Sequence, residues 1–221
     1  MSIKSALQSI DKELKPFGAQ LVAVSKTHST SAIKEAYACG QRIFGESTAQ
    51  ELVTKQESLP NDISWHFIGH LQSNKVKYIA PFVQCIHAVD TEKLLQVIDK
   101  EAGKNGRKID CLLQLHIAQE ESKYGFSPAE LRDFLASGQW QSFKHVRIIG
   151  LMCIASNTEN ENRLKEEFEL MASLLKEFKA AYFAHAPYFK ELSMGMSGDY
   201  LLAMHYGASL IRIGSAIFGS R

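Results

Sequence analysis

Eight short apolar runs recur along this 221-residue chain, and each except the last is followed by a segment with helical spacing. No other feature constrains the fold as much. The runs occupy residues 21–26, 42–47, 63–69, 85–90, 111–118, 146–154, 189–196 and 210–219. Strand-like runs alternating with helices belong to a parallel sheet with helical crossovers. Eight is the number that closes a (β/α)8 TIM-like barrel. An open doubly wound sheet shares the alternation, and strand order is not legible in a sequence, so it stands as the competing architecture.

The helical segments carry their own punctuation. Residues 31–40 start with Ser and stop at Gly, and residues 127–138 place Ser127 as an N-cap with Pro128 at the first helical position. Residues 161–178 set Leu164, Phe168, Met171 and Leu175 on one apolar stripe, which is core packing. No helix is expected after the eighth run. The amphipathic N-terminal segment, with Ile3, Leu7, Ile10 and Leu14, is expected to cover the place of that missing last helix. There is no internal repeat, linker or low-complexity tract, so a single domain over residues 1–221 is expected.

Charge and cysteine usage exclude several partners. The 25 Lys and Arg nearly balance 24 Asp and Glu, and no single-sign run forms a tail, so neither nucleic acid nor a membrane surface is expected as a partner. No stretch is apolar enough for a signal peptide or a bilayer span, and the reading is a cytoplasmic monomer. Cys39, Cys85, Cys111 and Cys153 are widely spread, form no CxxC pair, and read as buried reduced thiols rather than zinc ligands or a disulfide framework.

In a barrel, chemistry gathers where strands end at the C-terminal mouth. The first run ends in Lys26 after the apolar residues 21–24. Desolvation there lowers the pKa of an amine and frees its lone pair for imine formation with an aldehyde, whereas a lysine snorkelling into solvent is the plainer alternative. The segment 193–200 ends one strand and enters a helix, and residues 212–219 put Gly214 and Ser215 in the final strand. Gly195, Ser197, Gly198, Gly214 and Ser215 offer the small residues, backbone N–H groups and hydroxyls that suit a phosphate, and barrels commonly hold phosphate after strands seven and eight. Taken singly, each glycine could equally mark a tight turn. Arg212 alternates with Ile213 onto the side of Gly214, where it can meet the same ligand; a buried salt bridge to Glu46 or Asp90 is its alternative. A reactive lysine, a phosphate cup and an arginine between them point to a phosphorylated aldehyde.

At these residues the chain resembles the pyridoxal phosphate homeostasis proteins of the YggS and PROSC type, which are similar to the barrel domain of alanine racemase. The matching strings are AVSKTH at 23–28, FGES at 44–47, WHFIGHLQSNK at 65–75, ESKYG at 121–125, GLMCI at 150–154, LSMGMSGDY at 192–200 and RIGSAIFG at 212–219. The resemblance implies a barrel holding pyridoxal 5′-phosphate (PLP) as a Schiff base on Lys26. It implies phosphate contacts from Ser197, Gly214 and Ser215, an arginine facing the pyridine nitrogen at Arg212, and His66 and Ser47 along the ring side of the pocket. The sequence departs from the common pattern at Ser47 and Thr48, where most members carry Asn-Tyr, and the shorter serine reaches less far.

The implied function is a carrier or buffer of PLP for intracellular vitamin B6 homeostasis, with transient delivery to PLP-dependent apoenzymes. An arginine beside the pyridine nitrogen disfavours its protonation and weakens the ring as an electron sink. Racemisation also needs an acid or base on each face of the substrate, and only Lys26 is identified. A low-activity amino-acid racemase is the main alternative, and an aldolase-type lyase acting on a sugar phosphate is a third. Lys123 reads as a surface lysine that could touch an anion at the mouth, and His205 as a helix-packing histidine.

Overall fold

The computed structural model describes residues 2–118 and 124–219. Its eight strands are β1 (Gln20–Val24), β2 (Ile43–Glu46), β3 (Ser64–Phe67), β4 (Cys85–Val89), β5 (Ile109–Leu115), β6 (Val146–Cys153), β7 (Glu191–Ser193) and β8 (Leu210–Ile213). All neighbours are parallel, and β1 pairs with β8 as well as with β2, which decides for a closed barrel over an open sheet. Each expected run overlaps one strand, with β1 starting one residue and β5 two residues before its run. The helices around the barrel are α1 (Ile3–Leu14), α2 (Thr30–Ala38), α3 (Ala49–Ser58), α4 (Val76–Ile79), α5 (Glu92–Lys104), α6 (Pro128–Ala136), α7 (Glu161–Tyr182), α8 (Tyr200–His205) and α9 (Ser215–Phe218).

Period-two alternation divides the core into two layers. On β1, Val22 joins Cys85, Leu112, Met152 and Leu210 in the barrel interior, while Ala23 joins Phe44, Phe67 and Ile86 under the helices. Phe44, Phe67, Phe168 and Phe178 are fully buried in that outer layer. Truncating one of them to alanine would cost roughly 3–5 kcal/mol. The β6–β7 contact is close because Gly150 has no side chain: a Cβ there would lie 1.8 Å from the Glu191 carbonyl oxygen.

Local signals did what their chemistry dictates. Ser127 closes a capping box with Glu130, and Pro128 opens α6. Leu164, Phe168 and Met171 are buried along α7, with Leu175 packed beside them. Leu7, Ile10 and Leu14 bury one face of α1, which packs against β1, α2 and α9. Tyr200 at the start of α8 donates to Glu13 and ties α1 in place.

The end of the barrel differs from expectation in one respect. The strand stops at Ile213, and residues 215–218, expected as strand, turn into the short helix α9. A helix therefore does follow β8, and α1 lies against it rather than replacing it. A four-residue apolar run has too few positions to distinguish period 2 from period 3.6.

Candidate functional site

Lys26 lies two residues beyond the end of β1 and is half-buried. On this strand Val22 faces the interior, while the side chain of Ser25, just beyond the strand, turns to Glu46. Lys26 stands in the turn after the C-terminal end of β1, the end of the strand that opens on the barrel mouth. Ser25 is tied to buried charges: its hydroxyl donates to Glu46 Oε1 at 2.5 Å, and its carbonyl accepts from Lys55 Nζ at 2.7 Å. Burial pushes the Glu46 carboxyl above the usual range, and the hydrogen bonds from Lys55 and Ser25 pull it back. Glu46 Oε2 has no hydrogen-bond partner among the described residues.

Across the β1–β8 seam, Val22 pairs with Arg212 and Ala23 with Ile213. The next step along the seam brings Gly214 so close that a Cβ would stand 3.0 Å from the Val24 carbonyl oxygen. Ser215 Oγ lies 3.2 Å from Ser197 Oγ, which joins the β8 end to the loop after β7. Gly195 in that loop holds φ at +91°, a left-handed value that favours glycine. The end of β1, the end of β8 and the loop after β7, which carry Lys26, Gly214 with Ser215, and Ser197, thus adjoin on one sector of the mouth. Both helices there are short, so any anion would be held by hydroxyls and individual N–H groups.

Arg212 is 5% exposed and points inward. Its expected alternative, a salt bridge to Glu46 or Asp90, is not formed: Glu46 is taken by Lys55 and Asp90 by His70. Instead Nη1 donates to Ser193 Oγ at 2.7 Å and Nη2 to the Cys153 carbonyl at 2.8 Å. The chain continues from Ser193 Oγ to His87 Nδ1 at 2.9 Å and from His87 Nε2 to His66 Nδ1 at 2.8 Å. With Arg212 on one lone pair of Ser193, each contact of the chain has one donor and one acceptor if the hydroxyl donates to His87 and His87 donates to His66. Those roles assign both tautomers.

Both imidazoles are neutral. Burial lowers His66 to about 4, and it holds His87 well below its ordinary value, with His66 and the Arg212 charge adding to the effect. His66, Cys85 and His87 bring possible ligand atoms within 4.8 Å of one another. Their arrangement favours a hydrogen-bonded chain over a cation site, because the facing imidazole nitrogens bind each other and burial holds the Cys85 thiol well above its usual value.

The structure joins His66 to Arg212, and Ser197 to Ser215. Ser47 stands apart from these contacts: it lines a cavity of about 490 Å³ with Gln50, Phe67, His70, Lys75 and Tyr78. His205, the last residue of α8, is exposed and meets Phe17 edge-on at 5.2 Å, a packing contact as expected. Lys123 lies outside the described residues. Cys85, Cys111 and Cys153 are buried, whereas Cys39, expected to be buried, is exposed at the end of α2. Sequence reasoning missed Ser193, His87 and Lys55. His87 gave a faint signal as a polar residue at an interior position of an otherwise apolar strand.

The family model described as "Alanine racemase, N-terminal domain" matches residues 2–221. The chain belongs to that family. Among curated relatives it is 37% identical over 204 residues to the pyridoxal phosphate homeostasis protein of Aquifex aeolicus, covering 92% of this chain and 87% of the relative. It is 38% identical over 204 residues to the protein of that name from Schizosaccharomyces pombe, covering 91% and 84%. The resemblance read from the motifs is thereby shown over most of the chain. Among solved structures, PipY of Synechococcus elongatus without PLP superposes with a TM-score of 0.91 at 39% identity, covering 99% of this chain and all of that one. PipY with PLP bound gives 0.88 at 38% identity, with the same coverage. The alanine racemase of Streptomyces coelicolor shares the fold, with a TM-score of 0.78 at 15% identity, this chain covering 58% of its length.

Proposed function

We propose that this chain is a PLP-binding protein that carries or buffers the cofactor for vitamin B6 homeostasis, as one barrel domain over residues 1–221. The observation that carries the reading is the sector formed across the β1–β8 seam, with Lys26 on one side and Gly214, Ser215 and Ser197 on the other. The donor set fits the cofactor. Two converging hydroxyls suit a phosphate, and Gly214, which has no room for a side chain beside Val24, keeps the backbone of that turn bare. Arg212 is a buried cation whose hydrogen-bond partners among the described residues are neutral, so its charge remains available to an electron-rich ring nitrogen. His66 steadies Arg212 through His87 and Ser193, and we assign Ser47 to the ring side on the resemblance alone. The names of the curated relatives and the PLP-bound neighbour support the same assignment.

Bound PLP supplies an aldehyde carbon and an electron-withdrawing ring. Lys26 would hold the cofactor through its amine, whose condensation with that carbon would exchange C=O for C=N and release one water, with release of the cofactor as the reverse hydrolysis. Arg212 would keep the ring nitrogen unprotonated, which would favour storage over carbanion chemistry, and we assign the chain no enzymatic activity. We further propose that it works as a cytoplasmic monomer that meets PLP-dependent apoenzymes transiently. Among the described residues no helix is long and apolar enough to cross a membrane.

Incubation with PLP, borohydride reduction and peptide mass spectrometry should place a pyridoxyl group on Lys26, and Lys26→Ala should lose both the adduct and the visible absorbance. A protein that takes up no PLP would sink the proposal. Exchange of amino-acid α-protons in deuterated water well above that of free PLP would favour the racemase reading instead.

A further inference from the structure

The turn that carries Lys26 is held by more than its strand. The His28 N–H donates to the Ser25 carbonyl at 3.0 Å, closing a four-residue turn with Lys26 and Thr27 at its centre. Thr27 has φ at +68°, the one positive value among the described non-glycine residues. A first central residue at negative φ followed by a second at positive φ is the pattern of a type II turn, whose second central position ordinarily takes glycine. A β-branched residue there is strained and persists only where its surroundings over-determine it.

Those surroundings are a cluster of charges on the helix side of the sheet. Lys55, on α3 and 5% exposed, spends its three ammonium hydrogens on the Ser25 carbonyl at 2.7 Å, Glu46 Oε1 at 2.8 Å and Glu51 Oε1 at 2.6 Å. Glu51 Oε1 also accepts the Thr27 N–H at 2.6 Å. The carbonyl before Lys26 and the N–H after it are therefore fastened to one ammonium and its carboxylates. The cluster thus holds the backbone on both sides of Lys26.

We propose that Lys55, Glu46 and Glu51 are positioning residues that hold the Lys26 turn in its left-handed form and so aim the amine at the phosphate cup. The inference rests on the PLP-binding reading above. Holding the amine in place should favour the covalent step, in which Lys26 adds to the aldehyde and water leaves, over simple docking of the phosphate.

Two ligands separate those contributions: PLP, which condenses, and pyridoxine 5′-phosphate, whose alcohol cannot. Glu51→Ala leaves Lys55 on Glu46 and Ser25 and should keep the fold, as checked by far-ultraviolet circular dichroism and a cooperative melt. It should weaken covalent capture of PLP about tenfold, read from the Lys26 pyridoxyl adduct and the visible band, while changing pyridoxine 5′-phosphate affinity less than about threefold. Thr27→Gly should restore capture in the Glu51→Ala background, because glycine takes positive φ without the clamp.

If the parent protein forms no adduct, the PLP reading itself fails. If the parent forms it and Glu51→Ala captures equally well, or loses both ligands alike, or is not rescued by Thr27→Gly, the clamp is overturned alone. Lys55→Met provides a second, more severe case that should show the same pattern wherever it folds, and equal loss of both ligands would again overturn the clamp.

Discussion

Replacing His66 with asparagine should flatten the acid limb of the stability curve of the cofactor-free protein. In the folded state burial holds His66 at about 4, against about 6.5 for the same group in an unfolded chain. As pH falls below 6.5, the unfolded state takes up the proton first, so stability is lost on acidification and the loss levels off once pH reaches the folded value. Between pH 7 and pH 5 this one group should cost about 2 kcal/mol, and about 3 kcal/mol by pH 4. His87, also held low by burial, works in the same direction. An asparagine amide can hydrogen-bond to His87 Nε2 but does not titrate in this range. Urea unfolding of parent and His66→Asn at both pH values gives the result as a difference of differences, so the variant's own stability offset cancels. The parent should lose about 2 kcal/mol more than the variant on going from pH 7 to pH 5. Equal losses would refute the view that His66 is buried neutral within this chain.

Three further outcomes follow from the geometry. Ser197→Ala and Ser215→Ala each remove a hydroxyl from the pair 3.2 Å apart, and absorbance titration should show PLP affinity down roughly tenfold or more, as expected for a hydrogen bond to a charged group. Gly150→Ala puts a Cβ 1.8 Å from the Glu191 carbonyl oxygen and should abolish the cooperative thermal transition; a normal melt would contradict the tight β6–β7 approach. Ellman's reagent should modify Cys39 quickly in native protein and reach Cys85, Cys111 and Cys153 only after denaturant is added.

Strand existence was legible because a barrel wall buried on both faces must be written as short apolar runs. Strand ends were less so, as residues 215–218 illustrate. Lys26, Gly214 and Ser215 could be singled out because a lysine after an apolar strand and glycine–serine pairs at strand ends are unusual in their local setting. Arg212 was placed on the correct side by alternation, but its partners were not, since Ser193, Cys153 and His87 come from other strands and nothing near Arg212 in sequence announces them. Lys55 was invisible for a related reason: within AQELVTKQES it looks like one more solvated helix residue, and only the packing of α3 on β2 buries it. Thr27 ran against propensity altogether. A threonine in a left-handed turn contradicts what its side chain prefers, so no local rule finds it.

The seam between β1 and β8 has a consequence for how and when the protein becomes competent. Residues some 190 positions apart in the chain meet there, so half a barrel, whether a folding intermediate or a fragment, has the lysine or the hydroxyl cradle but never both. On the proposed reading, PLP capture is therefore a gauge of ring closure. By mass action, a ligand that needs the completed ring would favour it over the incomplete one, so PLP supply and the folded population of this chain would rise and fall together.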